Sequence, residues 1–400
     1  MAKKKPMPFD SFVADLIEAH EPSPMIRSTE DYAAARERQA AEAARERARA
    51  EQLWRQLQAT EDRKAWRDLV VNDPEYQSWA FCETLCNESA ELAEDDSRQA
   101  LELVELALKL APKVSGDEPL VCGIQEYAWM HLGNVCRARG DLKGAQEAFG
   151  RGKEFLVGGM MGILPSLILR DRLEALESAL LRDQGKLAEA LRKIDEATRS
   201  AVYRHGASQP ALLWEKARLH RRLDQSEAAL EALSRADRED RTSAPRLLLR
   251  IEIERSEALC DLGRYKEVKQ LPGSLQKAAR SFPVEGARLL CLEGRVAAGL
   301  GRLEEAEAIL QRCLADHPKH AVANAALLSL EIAALYASQG QAAKLKSLAE
   351  RTLQLTESLS QYPGAAATLK LCCRLVAQEK LTFERARQFV RDFARGIAGR

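Results

Sequence analysis

The sequence predicts an all-α fold, a solenoid of about eight helix pairs preceded by one long helix. Three observations carry this. Turn positions recur at Asp95, Gly140, Gly185, Asp224, Gly263, Gly301 and Gly340, at spacings of 45, 45, 39, 39, 38 and 39 residues. A repeat of that period describes stacked helical hairpins, each touching mainly its neighbours. Of 400 residues, 46% are apolar and 30% charged but only 5% aromatic, a profile that suits helices better than sheets. Finally, Trp129 to Gly133, then Gly140 to Ala145 and Phe149, read as helix, turn and helix, with small residues where the two backbones approach.

Residues 1–28 stand apart from the repeats as a flexible segment. Between Pro6/Pro8 and Pro22/Pro24, the residues Phe9, Phe12, Val13, Leu16 and Ile17 fall at i, i+3, i+4, i+7 and i+8, one apolar stripe of a short helix. Asp10, Asp15 and Glu18 take the other side. So short a helix is marginal alone in water. It is an interaction motif that docks on the chain's own inner face, docks on a partner, or stays unfolded. Lys3, Lys4 and Lys5 imitate the start of a signal peptide, but the acids interrupt the apolar run that should follow. No stretch is long and apolar enough to span a membrane. Nine cysteines lying mostly in helical patterns read as small core hydrophobes in a reducing compartment. A cytoplasmic location is expected.

Residues 29–72 read as one long charged helix, with Glu/Arg pairs from Arg36 to Arg47 at helical spacing. Residues 1–70 hold 13 basic and 13 acidic side chains, so this is no basic nucleic-acid tail. Helix pairs then fill residues 73–400. Pro112 stops the second helix of the first pair. Insertions at Val114–Pro119 and Gly158–Pro165 lengthen the first two spacings. Val268 and Pro272 predict a short or bent second helix in the fifth pair. Thr382 is the expected N-cap of the last, capping helix.

Trp129, Leu132, Gly133, Leu142, Ala145 and Phe149 resemble a tetratricopeptide repeat, and Gly294, Gly301, Ala306, Leu310 and Pro318 fit the same scheme. The resemblance covers roughly residues 77–378 and implies a right-handed solenoid whose first helices line a concave face. The segments Trp79–Glu83, Tyr127–Asn134 and Leu292–Gly301 are similar to a group of bacterial tetratricopeptide regulators that often carry a helix-turn-helix domain. That similarity implies a regulatory or signalling role. Residues 1–70 show no compact two-helix DNA reader, so direct nucleic-acid binding is not expected.

On that concave face the scheme places Tyr127, Asn134, Arg137, Arg172, Arg182, Trp214, Arg218, Arg221, Arg222, Arg250 and Arg295. Guanidinium groups present a planar fork of donors suited to carboxylates. Two readings follow: a row that holds an acidic peptide, or arginines that each pair with a glutamate of an adjacent helix. No catalytic constellation or cofactor motif stands out. Cys82/Cys86 and Cys372/Cys373 lack an accompanying His and acid. His131 reads as a structural side chain. Cys313, His317 and His320 have zinc-ligand character but no fourth ligand nearby. The expected function is a non-enzymatic protein–protein interaction scaffold or adaptor in bacterial regulation, binding a peptide or protein segment in its concave face. The alternative is a transcription-linked peptide sensor controlling a DNA-bound partner.

Overall fold

Every hairpin turn but the first is closed by one residue in the left-handed region. In the computed structural model, Gly140, Gly185, Gly263, Gly301 and Gly340 have φ between 66° and 80°, where glycine carries no Cβ penalty. Asp224 (φ 58°) takes the same role. Each turn repeats one bond pattern. The amide after the left-handed residue donates to the carbonyl five residues back, as from Asp141 to Cys136 and from Arg302 to Ala297, both 2.9 Å. An eighth turn stands 39 residues past Gly340, at Glu379 (φ 59°), with the equivalent bond from Lys380 to Leu375.

The structure describes residues 29–60, 63–157, 170–203, 209–239, 245–315, 322–359 and 363–398. The stripe of Phe9, Phe12, Val13, Leu16 and Ile17 lies outside them. In place of one helix over 29–72 there are two, α1 (Thr29–Gln58) and α2 (Arg63–Asn72). Trp54 and Trp66 meet edge to face at 5.6 Å across the break, and the Trp66 indole donates to the Thr60 carbonyl. Burying both rings against each other requires the chain to turn between them.

Eight pairs follow among the described residues: α3/α4 (Trp79–Leu92, Ser97–Leu110), α5/α6 (Glu118–Ala138, Leu142–Val157), α7/α8 (Arg170–Asp183, Leu187–Tyr203) and α9/α10 (Gln209–Arg222, Ser226–Glu239), then four more. These are α11/α12 (Pro245–Asp261, Gly273–Ser281), α13/α14 (Pro283–Gly299, Leu303–Ala315), α15/α16 (Val322–Ser338, Ala342–Leu353, then the short α17, Leu355–Ser358) and α18/α19 (Pro363–Ala377, Phe383–Ala398). Side-chain caps start many of them: Ser78, Asp96, Asp117 and Asp141 each accept from an amide three residues on, and Thr382 accepts from the Arg385 amide. In the fifth pair the second helix gives way to a 3₁₀ turn at Tyr265–Glu267 and a nine-residue helix. Pro272 cannot donate the amide a continuous helix needs there.

From α3 to α15 the first helices touch one another in succession, forming one rank. Each second helix packs on its own partner and on the next first helix. The apolar core runs between the ranks. It is tight at Gly133 of α5, where a Cβ would come within 2.9 Å of the Phe149 ring, and at Gly294 of α13, where it would meet Leu310 at 2.7 Å. The last pair breaks the pattern. Helix α19 packs on α15 as well as α18 and reaches α7, burying Phe389, Val390 and Phe393 in a cluster with Ala326 and Leu330. Among the described residues no helix is long and apolar enough to cross a membrane.

Candidate binding face

The rank of first helices curves enough for its fifth member to meet its first. Arg246, at the start of α11, donates to Asp95 in the first turn (2.7 Å), to the Glu91 carbonyl, and to Glu285 of α13 (2.9 Å). The Asp95 carboxylate also accepts from the Val284 amide. These groups lie 151 to 189 residues apart in sequence, so the contact defines an inner side of the superhelix.

Along that side a ladder of ion pairs climbs from helix to helix. Arg137 of α5 bonds Asp183 of α7 at 2.6 Å. Arg182 of α7 bonds Asp183 and reaches Glu215 of α9, which also accepts from Arg218. Arg221 of α9 bonds Glu254 at 2.7 Å, Asp261 at 2.8 Å and Glu257, all on α11. Arg288 and Arg295 of α13 return to the same three acids. Glu331 of α15 takes Arg295 on one side and Arg387 of α19 on the other. Burial disfavours the Arg182 cation, but Asp183 and Glu215 outweigh it and hold its pKa above the usual value. Burial likewise opposes the Glu257 carboxylate, yet Arg288, Arg221 and Arg295 pull its pKa down to about 2.

Of the expected arginines, Arg137, Arg182, Arg221, Arg250 and Arg295 each pair with an acid of another helix or turn, and Arg218 pairs with Glu215 of its own helix. Three of the expected residues are part of the wall and cannot touch a guest directly. Arg182 and Tyr127 are each 1% exposed, and Asn134 is buried beneath Arg137, whose guanidinium donates to its side-chain oxygen. Tyr127 donates to Asn87, which also accepts from Arg172 at 3.3 Å. Arg250 bonds Glu285 and Glu94.

Helix α9 differs from this closed accounting. Trp214, Arg218 and Arg222 fall at i, i+4 and i+8, one stripe of the helix. Arg218 and Arg250 lie over the Trp214 ring at 4.7 and 5.4 Å. The Trp214 indole N–H and Arg222 Nη1 are enclosed with no hydrogen-bond partner. Burial, then the nearby Arg182, pushes the Arg222 pKa down to about 10, with Arg218 adding to the effect. Arg218 is lowered in the same way, by burial and by Arg182. Opposite them, the first turn sends Glu94 inward. Its side chain stays 37% open to water, yet Arg250, Arg218, Arg137 and Arg288 together outweigh its desolvation and hold its pKa near 2. The carboxylate is both wet and within the field of cations from four helices.

Sequence reasoning missed Glu94, Glu215, Glu254, Glu257 and Arg288. The signal for the ladder was present: Arg182 to Glu215 and Arg221 to Glu254 are both 33 residues apart, close to one repeat. Of the other candidates, His131 is buried, with its ring 4.4 Å from that of Tyr127. Cys82, Cys86 and Cys372 are buried and Cys373 is half-buried. Cys313 is buried with its sulfur 3.3 Å from that of Cys291, while His317 and His320 lie outside the described residues.

Comparison with known proteins agrees with this architecture. The family model for the tetratricopeptide repeat matches residues 287–315, most of α13 with α14. No curated protein matches the sequence. Among solved structures the chain is similar to the crystal structure of Rap protein complexed with competence and sporulation factor, with a TM-score of 0.57 and 14% identity, over 78% of this chain and 85% of that one. At that identity the likeness speaks to the fold. The fold is that of a tetratricopeptide-like helical repeat.

Proposed function

We propose that this chain is a non-enzymatic scaffold or adaptor that holds a peptide or protein segment against the inner rank of its helices, in the cytoplasm of a bacterium and in a regulatory pathway. The observation that carries the reading is the inner face of α9. Enclosed donors without acceptors are costly, and here two of them, the Trp214 indole N–H and Arg222 Nη1, belong to one stripe of α9. A guest with acceptor groups would satisfy them. The ladder that holds the first helices together gives such a guest a preformed surface, which limits the ordering cost of binding. The Rap protein of similar fold is complexed with a factor, which supports the same use here.

A displayed library of random peptides, panned against the folded chain, tests this. Enriched peptides should slow amide hydrogen exchange in α5, α7, α9 and α11. A library that yields no binder, or binders that protect only the second helices of the pairs, would overturn the proposal.

A further inference from the structure

The geometry points to an oxidisable thiol pair, Cys291 of α13 and Cys313 of α14, that a small disulfide converts into a reversible cross-link inside the sixth hairpin. This site is separate from the α9 stripe and independent of any guest there.

The two sulfurs lie 3.3 Å apart on different helices, and the register of the hairpin explains why. Helices α13 and α14 run antiparallel across a short turn, and at Gly294 a Cβ would meet the Leu310 side chain at 2.7 Å. Cys291 stands three residues before Gly294 and Cys313 three after Leu310. The thiols therefore face each other one turn from the closest approach of the two backbones. A cross-link needs backbones that near and side chains that converge. Access separates this pair from the chain's other neighbouring thiols. Arg288, Cys291 and Arg295 fall at i, i+3 and i+7 on α13, so Cys291 borders the inner face, and it is half-buried where Cys313 is buried. Cys82 and Cys86 share one helix and are both 0% exposed. Cys372 and Cys373 adjoin within α18, where successive side chains diverge by about 100°.

Cys291, the more accessible thiol, reacts first. It gives its proton to water, and its sulfur attacks one sulfur of the incoming disulfide. The reagent's S–S bond breaks, and half of the reagent leaves as a thiolate that takes up a proton. The Cys313 thiol loses its proton in turn, attacks the Cys291 sulfur and expels the other half, which is protonated likewise. Two protein thiols are thereby oxidised to one disulfide, and one disulfide is reduced to two small thiols. The Cys313 contact and then burial hold the Cys291 pKa above the usual thiol value, so the first step is slow and the pair answers to sustained oxidation. The cross-link constrains the unfolded chain between the two positions and so stabilises the folded hairpin. Its effect extends beyond the hairpin, because Arg288 and Arg295 of α13 bond Glu254 of α11 and Glu331 of α15.

The test incubates the full chain with hydroxyethyl disulfide, removes the reagent, alkylates the remaining thiols in denaturant and weighs the peptides of a digest. The peptides that carry Cys291 and Cys313 should appear joined, two hydrogens short of their summed mass, and dithiothreitol should return both as free thiols. In Cys313→Ala the first exchange has no second, so Cys291 accumulates as the hydroxyethyl mixed disulfide. Cys291→Ala gives neither product. Oxidation of the unaltered chain should slow amide hydrogen exchange in α13 and α14 several-fold and raise the midpoint of urea unfolding, and the same treatment of Cys291→Ala should do neither. The unaltered chain needs no substitution for the mass readout, so poor folding of a variant leaves the central result in place. Full alkylation of both thiols after treatment, a mixed disulfide that persists in the unaltered chain, linkage between other cysteines instead, or a cross-link that leaves exchange in α13 unchanged would each overturn the inference.

Discussion

The inner and outer surfaces of this solenoid use the same residue types to different ends. Outside, Arg302 meets Glu305 three residues on, with both side chains about half exposed, and Arg264 meets Glu267 at the same spacing. Inside, Arg182, Arg221 and Arg295 meet acids one repeat away, with side chains between 1% and 17% exposed. An exposed pair three residues apart joins a helix to itself and is worth little in water. A buried pair across one repeat joins a hairpin to the next, and removing one partner leaves a desolvated charge behind. Such pairs tie each first helix to the next along the rank, and the Arg246–Asp95 pair then joins the fifth hairpin to the first turn.

The largest expected break in that comparison is Glu215→Ala. It takes the acid of the next hairpin from the buried Arg182 and from Arg218, and should cost about 3 kcal/mol, the low end for a broken buried pair because Asp183 still holds Arg182. The midpoint of urea unfolding should fall with its slope unchanged. A loss under about 1 kcal/mol would mean that the ladder is decoration.

A second difference concerns acid. His131, in the inner rank, is neutral when folded, since burial and then Arg172 push its pKa from 6.5 to about 3. The unfolded chain binds that proton near pH 6.5 and the folded chain does not. Stability is therefore full above about pH 6.5 and declines as pH falls toward 3, by up to about 1.4 kcal/mol per unit. Glu257, whose pKa is depressed from 4.5, gives up its share only below that value. Burial raises the carboxyl pKa values of Glu46, Glu88, Glu252 and Glu293, which act in the opposite sense toward pH 5. The difference between the unaltered chain and His131→Leu across pH 7 to 5 therefore isolates His131, and the variant should lose its share of the decline. The same pH dependence in His131→Leu and in the unaltered chain would contradict this account. The smallest effect belongs to the outer surface, where Arg302→Ala should change stability by less than about 0.5 kcal/mol. A larger loss would erase the distinction between the two faces.

Most of the fold was legible because it is written in turn chemistry. Glycine at five of the eight turns, with Asp224 at a sixth, recurs at intervals of 38 to 45 residues and marks the left-handed residues that end those first helices. Glu379 was not legible, because nothing about a glutamate announces a positive φ; only the 39-residue interval would have found it. The break between α1 and α2 was hidden for another reason. It depends on Trp54 and Trp66 packing together across a segment of ordinary helix formers. On the inner face the arginines were visible in sequence, but the choice between a free and a paired row was not. That choice turns on acids a variable 33 to 46 residues away. Glu94 lay beyond reach altogether: only the curvature of five stacked hairpins brings the first turn opposite α9.

Helix α19 bears on how large a guest this protein can take. A repeat array can in principle be lengthened by adding hairpins, and its track grows with it. Here α19 doubles back and spends its apolar side on α15, with Arg387 clasping Glu331, so α19 itself occupies the far stretch of the track. The helix acts as a ruler. By reaching α7 as well, it shortens the track further, and a ligand matched to what remains would be short.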